Sequence, residues 1–250
     1  MRSYSSYGVP AFVVLIASLA AATVAEAQSG HGFLFGEPRA TLGVRGGFGV
    51  ASAGSDLFDF TREELTVGRS DFNGFSIGGD AGWMLLPRLD LLMSAGYTWT
   101  NIDSESRRFE GEDDLPIRQN TEFKRVPVTA GLKLYPLPRG RTIGSYAWLP
   151  ARLVPYVGGT AGGMWYRFRQ HGEFVDEASL DIFEDVFNSS GWTPTAEAFG
   201  GLAVSISPRL SVTGEGRYTW ARAELSDSFE DFDPIDLAGF SATVGVSVRY

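Results

Sequence analysis

The chain has 250 residues, of which 44% are hydrophobic and 13% aromatic, and it contains 31 glycines and no cysteine. The lack of cysteine excludes a disulfide framework, a thiolate metal site and a cysteine nucleophile. The formal net charge of −9 argues against nucleic acid as a partner, because proteins that bind nucleic acid present a basic face.

The amino-terminal residues have the pattern of a secretory signal peptide. Arg2 supplies a positive charge, residues 11–22 form an apolar run, and Ala25-Glu26-Ala27 match the small residues of a cleavage site. The alternative is a membrane-anchoring helix, but the apolar run is shorter than the roughly 20 residues that a span needs. We therefore predict a signal peptide over residues 1–27 and a flexible leader over residues 28–38.

Residues 39–250 contain eight stretches in which apolar residues alternate with small or polar ones, which is the period of a β-strand with two unlike faces. The predicted strands cover residues 39–52, 71–86, 89–101, 121–135, 153–169, 195–207, 210–223 and 237–250. Pro87-Arg88 and Pro208-Arg209 predict tight turns, whereas residues 136–152 form a longer connection without a clean period.

Four further connections are long and acidic, and they join the ends of the strands opposite to the tight turns. They cover residues 54–70, 103–120, 170–194 and 226–236. Short turns at one end of the strands and long loops at the other are typical of barrels that span a membrane. A soluble sandwich does not need this asymmetry.

One of these loops contains the spacing of an amphipathic helix. Within residues 173–191 apolar side chains recur among acidic ones, and acids lie early in the stretch, where they suit the positive end of a helix. We predict a helix over the barrel mouth. Its apolar face either binds and admits an apolar solute, or seals the mouth by packing on Phe58, Phe60, Phe229 or Phe232.

The last predicted strand is the most regular, because every second residue from Phe240 to Tyr250 is apolar. The signal peptide, the eight alternating strands, the loop asymmetry and the aromatic carboxyl terminus together resemble the small eight-stranded outer-membrane barrels of the OmpA, OmpX and OmpW type. The segment Pro155-Tyr156-Val157-Gly158-Gly159 also resembles one that is common in that superfamily. The resemblance covers residues 39–250.

The resemblance implies an all-β fold over residues 39–250, an eight-stranded antiparallel transmembrane up-and-down barrel in the bacterial outer membrane. Its turns are expected to be short and periplasmic, and its acidic loops long and extracellular. The resemblance further implies that Val246, Val248 and Tyr250 form the signal read by the barrel-assembly machinery. The expected partners are outer-membrane lipids and lipopolysaccharide, with small apolar solutes or extracellular ligands at the loops.

Aromatic residues are expected where strands leave the hydrocarbon for the headgroups, and the predicted girdle comprises Tyr97, Trp99, Tyr218 and Trp220. The predicted inward-facing charges are Arg45, Asp80, Asp90, Lys133, Glu197, Glu215, Arg217 and Arg249. Eight strands enclose a space that side chains fill, and charges out of water persist only when they are paired. We predict a paired network that plugs the lumen; the alternative is a polar conduit or a proton-linked gate.

The fold is shared by adhesins, stabilising proteins, apolar-solute channels and lipid A enzymes, so it does not decide function. The main hypothesis is a plugged barrel with a structural or surface-interaction role in the envelope. The first alternative is an OmpW-like channel that releases small apolar molecules sideways into the bilayer.

The second alternative, a lipid A-modifying enzyme, has little support in the sequence. The only histidines are His31 and His171, and Ser179 and Glu173 lie near His171 without a recognisable motif. No catalytic residue, cofactor or metal ligand is predicted. The acidic runs 110–114 and 230–236 are expected to be solvated; their alternative role is weak binding of divalent cations that bridge to lipopolysaccharide.

Overall fold

A computed structural model of the chain describes residues 33–111, 115–144, 147–176, 181–229 and 231–250. The predicted signal peptide and His31 lie outside these residues. The strands are β1 (Leu34–Phe35), β2 (Ala40–Ala51), β3 (Gly74–Leu86), β4 (Leu89–Glu110), β5 (Pro116–Leu134), β6 (Gly140–Ile143), β7 (Ala147–Pro150), β8 (Leu153–Val175), β9 (Ile182–Ser205), β10 (Leu210–Ala223), β11 (Ile235–Asp236) and β12 (Gly239–Arg249). Helix α1 spans Asp56–Glu64. In the described parts of the chain, no helix is long and apolar enough to cross a membrane.

Eight strands form a closed antiparallel ring in the order β2, β3, β4, β5, β8, β9, β10 and β12. The ring closes between β12 and β2, where Gly239 pairs with Ala51 and Arg249 with Thr41. Ring neighbours follow one another along the chain apart from the inserted β6–β7 hairpin and the short β11, which is the order of an up-and-down barrel. The predicted eight-stranded barrel is therefore confirmed.

The outer surface of the ring is an apolar band. Successive strand residues point to opposite faces, and the outward positions carry large apolar side chains that are exposed, such as Val44, Phe75, Met93, Leu132 and Val244. In β4 the band runs from Leu89 to Trp99, after which the outward residues are polar. That length matches the roughly 9–11 residues of a membrane-spanning strand. An exposed apolar belt around a closed barrel is suited to lipid rather than to water.

Four strands continue well past the apolar band, because β4, β5, β8 and β9 have 22, 19, 23 and 24 residues. Their extensions stay paired and form a sheet that we call the wall, made of residues 101–110, 116–122, 169–175 and 182–190. Residues 103–120 and 170–194, which were predicted as loops, are thus mostly strand where the structure describes them.

The helix predicted within residues 173–191 is wrong. Phe183 pairs with Phe174, and Val186 with His171, in the ladder between β8 and β9. Because β-branched and aromatic residues suit a strand, and β8 offers a complete set of backbone partners, tertiary pairing overrides the helical spacing. Residues 177–180 at the tip lie outside the described residues.

The helix lies instead in the first acidic loop. Leu57 and Phe58 of α1 are buried, and Asp56 and Asp59 lie in its first turn, where carboxylates are favourable. The helix is anchored to the wall, since Thr66 N donates to Glu105 O (2.8 Å) just beyond its end. Helix α1 therefore lies at the loop end of the barrel, the end opposite the tight turns.

The turn end is covered by a second small sheet. β7 pairs with β1 from the predicted leader and with β6, so that the 136–152 connection and the leader form three strands. Trp148 of β7 is buried. The leader, predicted to be flexible, is ordered at Leu34–Phe35 because β7 supplies its backbone partners.

Replacing an outward residue of the band with a charge should destabilise the barrel. Val244 is 65% exposed, and Val244→Arg places a cation in hydrocarbon, so it should cost about 2–4 kcal/mol in the free energy of unfolding in lipid vesicles. The control is Asn101→Arg, which lies past the band on β4. Equal losses for both variants would contradict the assigned position of the membrane.

Candidate functional site

Arg217 lies at the centre of the lumen and binds two carboxylates. Its Nη1 donates to Glu197 Oε2 (2.6 Å) and to Ser94 Oγ (3.0 Å). Its Nε and Nη2 donate to Glu215 Oε1 (3.1 and 2.9 Å). The guanidinium carbon lies 4.7 Å from the centre of the Phe199 ring, and the residue is 4% exposed. Arg217 is thus held by charge-assisted hydrogen bonds on several sides.

Glu197 reaches Arg217 from β9 and is surrounded by hydroxyl donors. Its Oε2 also accepts from Thr129 Oγ1 (3.1 Å) and Thr160 Oγ1 (3.0 Å), and its Oε1 accepts from Thr219 Oγ1 (3.2 Å). These donors satisfy the hydrogen-bonding capacity of the buried carboxylate without water.

Arg45 extends the cluster across the lumen. It donates from Nη1 to Asp80 Oδ2 and from Nη2 to Ser94 Oγ (3.2 Å), and its Nε lies 4.0 Å from Glu215 Oε1. Arg217 Nη2 is 3.6 Å from Asp80 Oδ1. We call Arg45, Asp80, Ser94, Glu197, Glu215 and Arg217 the central network.

Glycines make room for these large side chains. A Cβ on Gly78 would lie 2.8 Å from Arg45 Nη2, and one on Gly201 would lie 2.6 Å from Tyr156 Oη. Tyr156 fills that space and donates to Glu215 Oε2 (3.2 Å). Part of the high glycine content therefore serves the packing of the lumen.

A second cluster lies toward the turn end. Asp90 accepts from Arg139 Nη1 (3.0 and 3.2 Å) and from Tyr135 Oη (2.8 Å). Arg139 Nη2 also donates to Glu37 Oε1 (3.4 Å). Strand alternation predicted Asp90 in the lumen but not Arg139, which lies in the 136–152 connection, where no strand period reveals its direction.

The two remaining predicted lumen charges have no carboxylate partner in the described structure. Lys133 Nζ lies 3.7 Å from the centre of the Tyr156 ring. Arg249 Nη2 donates to the neutral Ser205 Oγ (3.0 Å), and its Nη1 is buried without a hydrogen-bond partner. The structure thus brings five of the eight predicted residues together and places Asp90, Lys133 and Arg249 closer to the turn end.

The loop end of the lumen is closed by aromatic packing. The Phe58 ring of α1 contacts Phe72, Phe123 and Phe168, with ring centres 4.8, 5.5 and 5.8 Å apart, and all four side chains are buried. Phe229 packs on Phe168 at 5.7 Å. The lid predicted from residues 173–191 is therefore not the element that closes the mouth; α1, which carries Phe58, closes it instead.

Arg125, which was not among the predicted lumen charges, ties a loop to this seal. It is 7% exposed, and its Nη1 donates to the carbonyls of Leu237 (3.1 Å) and Ala238 (3.2 Å). Its inward position in the alternation of β5 could have identified Arg125 as a lumen residue from the sequence.

The predicted girdle residues lie at the edge of the band nearest the loop end. Tyr97 stacks on Trp99 (5.2 Å), and Tyr218 contacts Trp220 (4.7 Å). Among the predicted assembly-signal residues, Val246 and Tyr250 are exposed, whereas Val248 is buried. Their recognition by assembly machinery stays a prediction.

The residues considered for catalysis and metal binding are not assembled into a site. His171 is exposed on β8, and the Glu173 carboxylate accepts from Arg118 N (3.1 Å). Ser179 lies outside the described residues, as do residues 112–114 and 230 of the acidic runs. Within the described ranges, no group of three acidic, histidine or cysteine residues could hold a metal ion.

No model of a known protein family matches the chain, and no curated protein matches it. Among solved structures, the attachment invasion locus protein Ail of Yersinia pestis has 12% identity and a TM-score of 0.43, with 86% of this chain and 100% of that chain covered. Neisserial surface protein A has 12% identity and a TM-score of 0.42, with 88% and 98% covered. A major outer membrane protein of Thermus thermophilus has 13% identity and a TM-score of 0.46, with 86% and 100% covered.

Removing Arg217 should strongly destabilise the barrel, because Glu197 and Glu215 would remain buried without their cation. Arg217→Ala should cost about 3–5 kcal/mol in reversible unfolding from detergent micelles. In a double-mutant cycle with Glu197→Ala the losses should be far from additive.

Arg62→Ala is the control, since Arg62 pairs with the exposed Asp59 on α1 and should cost only about 0–1 kcal/mol. If Arg217→Ala and Glu197→Ala each cost only about 0–1 kcal/mol and their costs add, water solvates the lumen.

Proposed function

We propose that this chain is an outer-membrane barrel with a closed lumen, and that it has a structural or surface-interaction role in the bacterial envelope. The observation that carries the proposal is the buried central network of Arg217, Glu197 and Glu215, which crosses the lumen between two further closures. The aromatic cluster around Phe58 lies on its loop side, and the sheet with Trp148 lies on its turn side.

The spaces beside the network support a plug rather than a conduit. The cavity toward the turn end has about 60 Å³, and the one on the loop side of Arg217 has about 40 Å³. Since one water needs roughly 10–15 Å³ of such volume, each space holds a few waters. An apolar solute entering from the loop end would have to displace α1 and then cross buried charges.

The wall is the feature that favours a role at the surface. It extends the barrel beyond the apolar band as paired strands, and its β9 edge exposes Ile182, Phe183 and Val186 at 39%, 39% and 47%. Rigid paired strands with exposed apolar residues present a fixed surface to another molecule.

A basic strip at the edge of the band favours contact with anionic lipid. Lys124 and Arg167 are register neighbours on β5 and β8, and Arg169 follows Arg167 on the same outward face. Glu122 lies beside them and pairs with Lys124 at 2.8 Å, so three cations face one carboxylate in the strip. The Arg167 guanidinium carbon lies 5.2 Å from the centre of the Trp165 ring. We propose that this strip contacts the phosphate groups of lipopolysaccharide, which places the loop end outside the cell.

A non-enzymatic role is part of the same proposal. His171 is exposed on the wall, and the described residues around it include no base-activated nucleophile of the kind that acyl transfer needs.

The closed lumen should be electrically silent. Wild-type protein in a planar bilayer should give no unitary conductance, whereas combining Arg217→Ser, Phe58→Ala and Trp148→Ala weakens all three closures and should give openings. Steady unitary currents from the wild type, together with impaired uptake of apolar substrates in cells lacking the protein, would support the channel alternative instead.

Neutralising the basic strip should weaken lipopolysaccharide binding. The triple variant Lys124→Gln, Arg167→Gln, Arg169→Gln should retain about tenfold less lipopolysaccharide through purification, because three phosphate-facing cations are lost. The matched control removes three exposed cations at the turn end, Arg88, Arg141 and Arg152. Equal retention by both triple variants would contradict the assigned lipid contact.

A further inference from the structure

Cations outnumber carboxylates among the charged residues that line the turn-end cavity of the lumen. Four basic side chains and two carboxylates border its volume of about 60 Å³: Arg45, Lys133, Arg139, Arg249, Asp80 and Glu215. From this lining and the contacts of its members, we infer that the cavity is a binding site for one small inorganic oxyanion of the phosphate or sulfate class.

The two carboxylates that line the cavity already have partners. Asp80 accepts from Arg45, and Glu215 accepts from Arg217 and Tyr156. Among the described residues, their ion pairs are with Arg45 and Arg217, and neither carboxylate is in an ion pair with Lys133, Arg139 or Arg249. A metal cation in the cavity would meet four cations and only two carboxylates in its lining.

Arg249, which also lines the cavity, is in no ion pair with the described residues. Arg249 is 9% exposed, its only hydrogen bond from a side-chain nitrogen in the described structure goes to the neutral Ser205 Oγ, and its Nη1 has no partner. A buried guanidinium without a carboxylate partner requires a counter-charge.

Arg139 and Lys133 contribute further unused donors. Arg139 donates its Nη atoms to Asp90 and Glu37, while its Nε is buried without a hydrogen-bond partner. Lys133 contacts the faces of Tyr135 and Tyr156 and is in no ion pair with the described residues. An anion bound here would receive hydrogen bonds from three separate directions, which suits an oxyanion better than a spherical halide.

The size of the cavity agrees with this ligand class. At roughly 10–15 Å³ of such volume for each water, a cavity of about 60 Å³ holds about four to six waters, which leaves room for one tetrahedral oxyanion. Larger anions, such as nucleotides or headgroups with their sugars, do not fit beside Tyr135, Trp148 and Tyr156. Bound anion would connect β5, β12 and the 136–152 connection, and would thereby brace the turn end of the barrel.

The test is isothermal titration calorimetry of the full-length protein in uncharged detergent, with inorganic phosphate and with sulfate at constant ionic strength. One saturable site per barrel is expected for at least one of these anions. Arg249→Gln and Lys133→Gln should each weaken its affinity about tenfold or more, because each removes a charged donor. Lys124→Gln, which removes a cation outside the lumen, should leave the affinity unchanged.

Heat-modifiable migration on gels identifies the variants that still fold. If Arg249→Gln does not fold, Lys133→Gln alone tests the inference. The inference is overturned if neither anion binds saturably, if chloride binds equally well, or if folded Lys133→Gln and Lys124→Gln variants bind as the wild type does. It is independent of the lipopolysaccharide contact, which concerns the outer face of β5 and β8.

Discussion

The ion pairs between Arg217 and its two carboxylates are the interaction on which the rest of the lumen depends. An eight-stranded barrel leaves room for only a few waters near Glu197 and Glu215, so their charges must be met mainly by fixed partners. The threonine hydroxyls around Glu197 and the glycines facing Arg45 and Tyr156 follow from that requirement. The network also joins strands that are not neighbours in the ring, since Arg217 of β10 contacts Ser94 of β4.

The ends of the barrel are closed by different chemistry. At the loop end the aromatic side chains of α1 and the surrounding strands pack in a core that contains few charges, and burial of apolar area stabilises it. At the turn end Trp148 and Tyr135 enclose the ion pair of Asp90 and Arg139, so this closure combines apolar packing with paired charge. The lumen is lined by polar residues, but the three closures in series leave no continuous path through it.

Strand alternation made the barrel predictable, because the parity of a residue, that is, whether its position in the strand is odd or even, fixes whether its side chain faces lipid or lumen. Arg45, Asp80, Glu197, Glu215 and Arg217 were assigned to one face on that basis, and the structure places them in one cluster. Parity has no meaning where a strand period is lost, which is why Arg139 in the 136–152 connection was missed. The helix predicted in residues 173–191 was wrong for a related reason. The apolar residues there pair with β8 in a β-ladder, and the local sequence does not reveal that partner.

The closed lumen can be tested through a thiol, because the chain has no cysteine. Ser94 is 4% exposed and lies between Arg45 and Arg217. A single Ser94→Cys variant should react with a small charged thiol reagent only after unfolding, while Ser70→Cys, exposed at the loop end, should react at once in the folded protein. Rapid modification of Ser94→Cys in the folded barrel, at a rate near that of Ser70→Cys, would show that water and ions reach the centre of the lumen and that the charge network does not close it.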